Sequence, residues 1–198
     1  MLTLPSTLIL SPAQFAEVCA GNPEAVLELD AQGHLIERPP TGGATGARNT
    51  CLLAQLQAWA RSHGSHGTWK VFDSSTGFLL PDGSVRSPDA SVVSVQRWQA
   101  LREAEREGFP PLCPDLVVEL ASRSDDPEAL RRKLAIYLAN GARLGWLLLP
   151  LSRTVEAWTP GQAAVPSTPA AVLSDGQRLE AGKEFPGLTI DLAEIWEA

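Results

Sequence analysis

The segment Leu116-Val117-Val118-Glu119-Leu120 places one carboxylate inside a short apolar run rich in β-branched residues. Such a run reads as a strand at the centre of a sheet, covered on both faces. A carboxylate buried there is costly unless it meets a metal, a proton or a cation. Upstream, Ser87-Pro88-Asp89-Ala90 sets a second acid at the entrance to another β-prone run, Ala90 to Val95. If the two strands are neighbours, their spacing of about 4.8 Å lets Asp89 and Glu119 share one ion. Asp115, also preceded by proline, is a poorer partner. Four residues along one strand separate it from Glu119 by roughly 13 Å at 3.3 Å per residue, too far for a common Mg²⁺ with ligands at about 2.1 Å.

The following segments build the scaffold around that pair. Asp125-Asp126-Pro127-Glu128 has the acidic residues and early proline of a helix start, and Asn140-Gly141 ends the helix. Leu144 to Leu149 is a second buried strand, so the unit from 115 to 149 is expected to place two parallel strands around a crossover helix. Thr154 to Trp158 follows as an antiparallel partner. Ahead of the acids, Ser11-Pro12 opens a short helix, and Ala25–Asp30 with His34–Arg38 form a hairpin about Ala31-Gln32-Gly33. Leu52, Leu53, Leu56, Trp59 and Ala60 recur at helical spacing within a helix expected over residues 45–62. Strand-like segments run over 68–73 and 77–81, a polar helix with a proline-closed excursion over 96–112, a surface loop over 161–171 and a last apolar segment over 188–196. A chain of 198 residues with 44% apolar composition needs only one domain, taken as 1–198.

Two acids on one metal are the usual means of cleaving a phosphodiester, with a lysine to hold the nucleophile or offset developing charge. The position two residues after Glu119 is Ala121, so the lysine has to come from elsewhere. Lys133 borders the apolar stripe Leu130, Leu134, Tyr137 and Leu138 of the helix after the strand, where it can reach towards the strand ends. Each residue also has a plain structural reading. Glu119 could pair with Arg123 or Arg143, Asp89 could cap its own turn, and Lys133 could be a solvated helix residue. Arg131 and Arg132 read as surface charges or DNA-backbone contacts.

A net charge of −7 and a pI near 5.0 count against binding DNA through a broadly basic surface. They suit a cytoplasmic protein, and no apolar run approaches the roughly 20 residues of a membrane span. Cys19, Cys51 and Cys113 are too dispersed for a metal knuckle or disulfide framework. Gly42-Gly43-Ala44-Thr45-Gly46 lacks the ending of a phosphate-binding loop. His63 and His66 read as partners of a helix C-terminus. Trp146 is expected in the core, and Trp98 and Trp196 at a homodimer interface. A two-carboxylate glycosidase lacks an aromatic sugar platform near the acids.

With these residues in hand, the chain resembles the PD-(D/E)XK nuclease superfamily and, within it, the Uma2 family of restriction-endonuclease-like proteins. The resemblance rests on Phe72-Asp73-Ser74-Ser75-Thr76-Gly77-Phe78, Arg86-Ser87-Pro88-Asp89-Ala90-Ser91, Phe109–Asp115, Val117-Val118-Glu119-Leu120, Asn140–Trp146 and Phe185-Pro186-Gly187-Leu188. It implies an α/β fold with a restriction-endonuclease-like core: a mixed central sheet flanked by helices, with an N-terminal β-hairpin. It implies a Mg²⁺- or Mn²⁺-dependent endonuclease acting on DNA, with Asp89 and Glu119 as metal ligands and Lys133 as the helix-borne lysine. An acid in the first hairpin, Glu28 or Glu37, is also implied, and Glu28 is the choice. The chain departs from its relatives at Ala44-Thr45, Ser122-Arg123 and Leu149-Pro150, none of them an acid of the site. The alternative is an inactive nuclease fold serving binding or assembly.

Overall fold

The structure, a computed structural model, describes residues 8–62, 68–161, 169, 171–174 and 178–198. His63, His66 and most of the 161–171 loop lie outside the described residues. Helix α1 (Pro12–Gly21) starts from a capping box between Ser11 and Gln14. Strands β1 (Val26–Leu29) and β2 (Leu35–Arg38) form the expected hairpin. Its turn is held by Asp30 Oδ1, which accepts from the N–H groups of Gln32 and His34, with Gly33 at a φ of 85°.

Helix α2 (Gly43–Ser62) leads to β3 (Trp69–Asp73), β4 (Phe78–Leu79), β5 (Val85–Arg86) and β6 (Ala90–Ser94). The polar stretch after β6 divides into two short helices, α3 (Val95–Gln99) and α4 (Glu103–Glu107). Strand β7 (Leu116–Leu120), helix α5 (Pro127–Ala139), β8 (Leu144–Leu149) and β9 (Thr154–Trp158) follow. The C-terminal part holds β10 (Ala171–Ser174), β11 (Arg178–Glu180), a 3₁₀ turn, β12 (Thr189–Asp191) and α6 (Leu192–Trp196).

The central sheet has six strands in the order β10-β9-β8-β7-β6-β3. Strands β7 and β8 are parallel, joined through α5, and the other pairings are antiparallel. A second sheet, β2-β1-β5-β4, joins the hairpin to the segment that precedes Asp89. One face of the central sheet is covered by Leu52, Leu56 and Trp59 of α2 and by Leu192, Ile195 and Trp196 of α6. The other is covered by Leu130, Leu134, Tyr137 and Leu138 of α5. Gly145 on β8 permits that close approach, because a Cβ there would stand 3.1 Å from Leu134 Cδ2.

Trp146 is buried as expected. Trp196 is also core, packed beside α2, and so is not exposed for a dimer contact. Trp98 packs against Phe72, with ring centroids 5.0 Å apart. No helix among the described residues is long and apolar enough to cross a membrane.

Candidate functional site

Strand alternation decides which way the acids face. On β7, Leu116, Val118 and Leu120 belong to the core beneath α2, and Val117 belongs to the core beneath α5. Glu119 therefore lies on the α5 side. Ala90 and Val92 on β6 face α2 and Val93 faces α5, which puts Asp89 on the α5 side as well. Ala90 pairs with Val118, so the next pair outward sets Asp89 opposite Glu119. Asp89 Oδ2 accepts a hydrogen bond from Leu120 N at 2.7 Å. It ties β6 to β7 and does not cap its own turn. From α2, Asn49 Nδ2 donates to the Asp89 carbonyl at 3.1 Å.

Helix α5 supplies the cation. Asp126 caps it by accepting from Glu128 N, and Pro127 occupies its first turn. Lys133 is buried on the helix's inner face with Leu130, Leu134, Tyr137 and Leu138. Its Nζ donates to the Ser87 carbonyl at 2.8 Å and lies 2.8 Å from Glu28 Oε1 and 2.9 Å from Glu119 Oε1. The solvated reading of Lys133 does not hold. Nor is Arg143 the partner of Glu119, since Arg143 pairs with Glu184. Arg131 is likewise engaged, with Nε donating to Glu156 on β9 at 2.9 Å. Arg132 is an exposed charge near Asp126.

Of the two hairpin acids, Glu28 joins the cluster, while Glu37 stays exposed. Leu29 pairs with Val85, so Glu28 faces Arg86 across β1 and β5. Arg86 Nη1 donates to Glu28 Oε2 at 3.0 Å, and Ser87 N donates to Oε1 at 3.2 Å. Arg38 Nη2 stands 3.7 Å from the same carboxylate. Asp89, Glu119, Lys133 and Glu28 are thus brought together. Asp115 is occupied elsewhere, by Ser94 N at 2.8 Å and Arg97 Nη1 at 2.9 Å.

Burial and charge act in opposition here. Burial pushes the Glu119 carboxyl up to about 8; Asp89 and Glu28 add to that, while Lys133 opposes it. Burial also raises Asp89, against Lys133 and the Leu120 N–H. In Glu28 burial is outweighed by Lys133, Arg38 and Arg86, so its carboxyl is held below the ordinary range. In Lys133 burial is outweighed by Glu119 and Glu28, which keep the ammonium charged.

The donor set suits a hard cation. Asp89 and Glu119 offer carboxylate oxygens only, and Mg²⁺ commonly takes one or two carboxylates plus waters and phosphates. Glu119 Oε1, despite its ion-pair distance to Lys133, is buried without an aligned hydrogen bond and so retains an acceptor for a cation. Among the described residues no group of three or more His, Cys, Asp or Glu side chains could hold a metal.

Sequence reasoning missed Arg86, Arg38, Asn49 and the Ser87 carbonyl. Arg86 lies in a two-residue strand, too short for any alternation to show. Arg38 could have been found from the hairpin register: Val26 pairs with Arg38 and Glu28 with Ile36, so Arg38 and Glu28 share a face.

Residues 12–193 match the Uma2 family model, whose description reads "Putative restriction endonuclease". Among solved structures the chain is similar to one titled as a "putative nuclease belonging to DUF820", from Anabaena variabilis. The two are 17% identical over 86% of this chain and 89% of that one, with a TM-score of 0.68. That likeness is one of fold. No curated protein matches the chain in sequence.

Proposed function

The chain belongs to the Uma2 family, and from that premise we propose that it is a metal-dependent endonuclease hydrolysing phosphodiester bonds of DNA. The observation that carries this reading is the convergence of Asp89, Glu119 and Lys133 on one side of the central sheet. Asp89 and Glu119 would hold Mg²⁺ or Mn²⁺. When bound, the ion supplies Lewis-acid polarisation of a phosphoryl oxygen and lowers the pKa of a water.

The remaining steps belong to the chain itself. Lys133 holds its proton and presents a fixed positive charge beside Glu119, where it offsets charge developing on the scissile phosphate. Glu28 is a positioning residue. One of its oxygens takes Lys133 and Ser87 N, and the other takes Arg86, so it orients the ammonium and the Ser-Pro-Asp turn together. Asn49 fixes the backbone at Asp89.

Supercoiled plasmid incubated with the protein and Mn²⁺ should be nicked, and Asp89→Ala should reduce the rate at least a hundredfold, roughly the effect of losing one strong electrostatic contribution to the transition state. Equal rates for wild type and variant would contradict the reading. One observation favours a non-catalytic binding protein instead: Glu28 and Glu119 already share the Lys133 ammonium as a counter-ion within the protein. Under that alternative the wild type leaves the plasmid intact at any Mn²⁺ concentration.

A further inference from the structure

The acid cluster contains three carboxylates, Glu28, Asp89 and Glu119, and three cations, Lys133, Arg86 and Arg38. The cations differ in what holds them. Lys133 and Arg86 are buried, their side chains 7% and 9% exposed, and both are bonded to protein oxygens. The Arg38 side chain is 34% exposed, and its single ion contact is Glu28 at 3.7 Å, beyond hydrogen-bond distance. Among the described residues the Arg38 guanidinium makes no hydrogen bond. A group with five N–H donors, two-thirds buried beside a carboxylate cluster, normally has partners. Among the described residues nothing supplies them, and the exposed third of the side chain leaves those donors open to a ligand.

The position of Arg38 says what such a partner is. It ends β2 on the same hairpin face as Glu28, and its charge is felt by Glu119 and Asp125 as well as Glu28. It therefore sits where β2 gives way to the Pro39-Pro40 segment, at the solvent side of the proposed centre. A planar guanidinium with free donors matches two oxygens of one phosphate. An approaching anion is attracted to Arg38 but repelled by the carboxylates near it, so the site favours an anion whose charge a cation also shares.

We propose that Arg38 is a phosphate-binding residue that seats a backbone phosphate of the nucleic-acid substrate next to the Asp89–Glu119 pair. This rests on the nuclease reading above and adds a substrate-positioning residue to it. Arg38 acts on binding, so its effect is readable whether or not the phosphodiester is cut.

The test is fluorescence anisotropy of a labelled 20-base-pair DNA duplex, titrated with wild type, Arg38→Ala, Arg38→Lys and Arg102→Ala over a range of salt concentrations. Arg102 lies before α4, paired with Glu105, and its variant controls for the loss of one positive charge. Arg38→Ala should weaken binding about tenfold, as for one charge-assisted hydrogen-bonding group. It should also lower the slope of log affinity against log salt by about one, the signature of a lost phosphate contact. Arg38→Lys should recover the salt slope but only part of the affinity. An Arg38→Ala variant no different from Arg102→Ala overturns the proposal, as does a wild type that does not bind the duplex. Arg38-dependent binding without plasmid nicking by the wild type leaves the phosphate site standing and removes the nuclease reading. Nicking unaffected by Arg38→Ala does the reverse.

Discussion

Lys133 donates to the Ser87 carbonyl and stands within ion-pair distance of both Glu28 and Glu119. Removing it takes away the cation beside the buried Glu119 and leaves Glu28 to Arg86 and Arg38. Lys133→Met should cost about 3–5 kcal/mol in urea denaturation, the usual penalty for breaking a buried ion pair from one side. Adding Glu119→Gln to that variant should recover part of the loss; a double variant less stable than the single one would show that the cluster is not held by charge. The same reasoning explains what the bare sequence revealed at this scale. Asp89 and Glu119 stood out because a carboxylate beside β-branched residues has few inexpensive surroundings. Glu28 could not be chosen over Glu37 by spacing, because both sit in one hairpin and only strand pairing shows which faces the core. Arg86 and Asn49 carry no local signal, since their partners are 58 and 40 residues away.

At the scale of elements, the site depends on how firmly α5 is seated. Gly145 lets the helix lie close to β8, and Arg131 ties its exposed flank to Glu156 on β9. Its C-terminal end is fixed by Asn140, which exchanges hydrogen bonds with Asp82 in the β4–β5 turn: Asp82 N donates to Oδ1 and Nδ2 donates to Asp82 Oδ2, both at 2.9 Å. Asp82 Oδ1 also accepts from Ser84 N and Oγ. Burial acts to raise this carboxyl, but the Ser84 and Asn140 bonds outweigh it and hold its pKa below the ordinary value. An acid depressed on folding stabilises above its unfolded pKa, about 3.9 for aspartate, and loses that contribution as pH falls through the folded value. Asp82→Asn should therefore lower stability by roughly 1 kcal/mol near pH 7. The gap to wild type should close as denaturation curves are repeated towards pH 3. A gap that widens in acid would contradict this assignment. The long periodic elements, α2, α5, β7 and β8, were readable from pattern. β5 was not, because Val85–Arg86 is two residues long and is defined by pairing with β1 and β4.

At the scale of the whole molecule, three separate parts of the chain build one centre. The N-terminal sheet brings Glu28, Arg38 and Arg86; the central sheet brings Asp89 and Glu119; α5 brings Lys133. The C-terminal β11, β12 and α6 pack on the opposite face beside α2 and contribute no member of the cluster. The mixed sheet, the parallel β7–β8 pair and the N-terminal hairpin agree with the α/β architecture read from the residues and from the Uma2 resemblance. The joining of the hairpin to the β4–β5 segment in a second sheet was not foreseen. It depends on non-local pairing that no run of residues announces, and it is what carries Glu28 to Lys133.

The central claim is that the paired acids form a cation site. Calorimetric titration of Mn²⁺ into the protein tests it most directly, with wild type beside Glu119→Gln and Asp89→Asn. A single site present in the wild type and lost in both variants, with their circular dichroism unchanged, is the predicted result. Mn²⁺ binding that survives both substitutions, or is absent from the wild type, would contradict it.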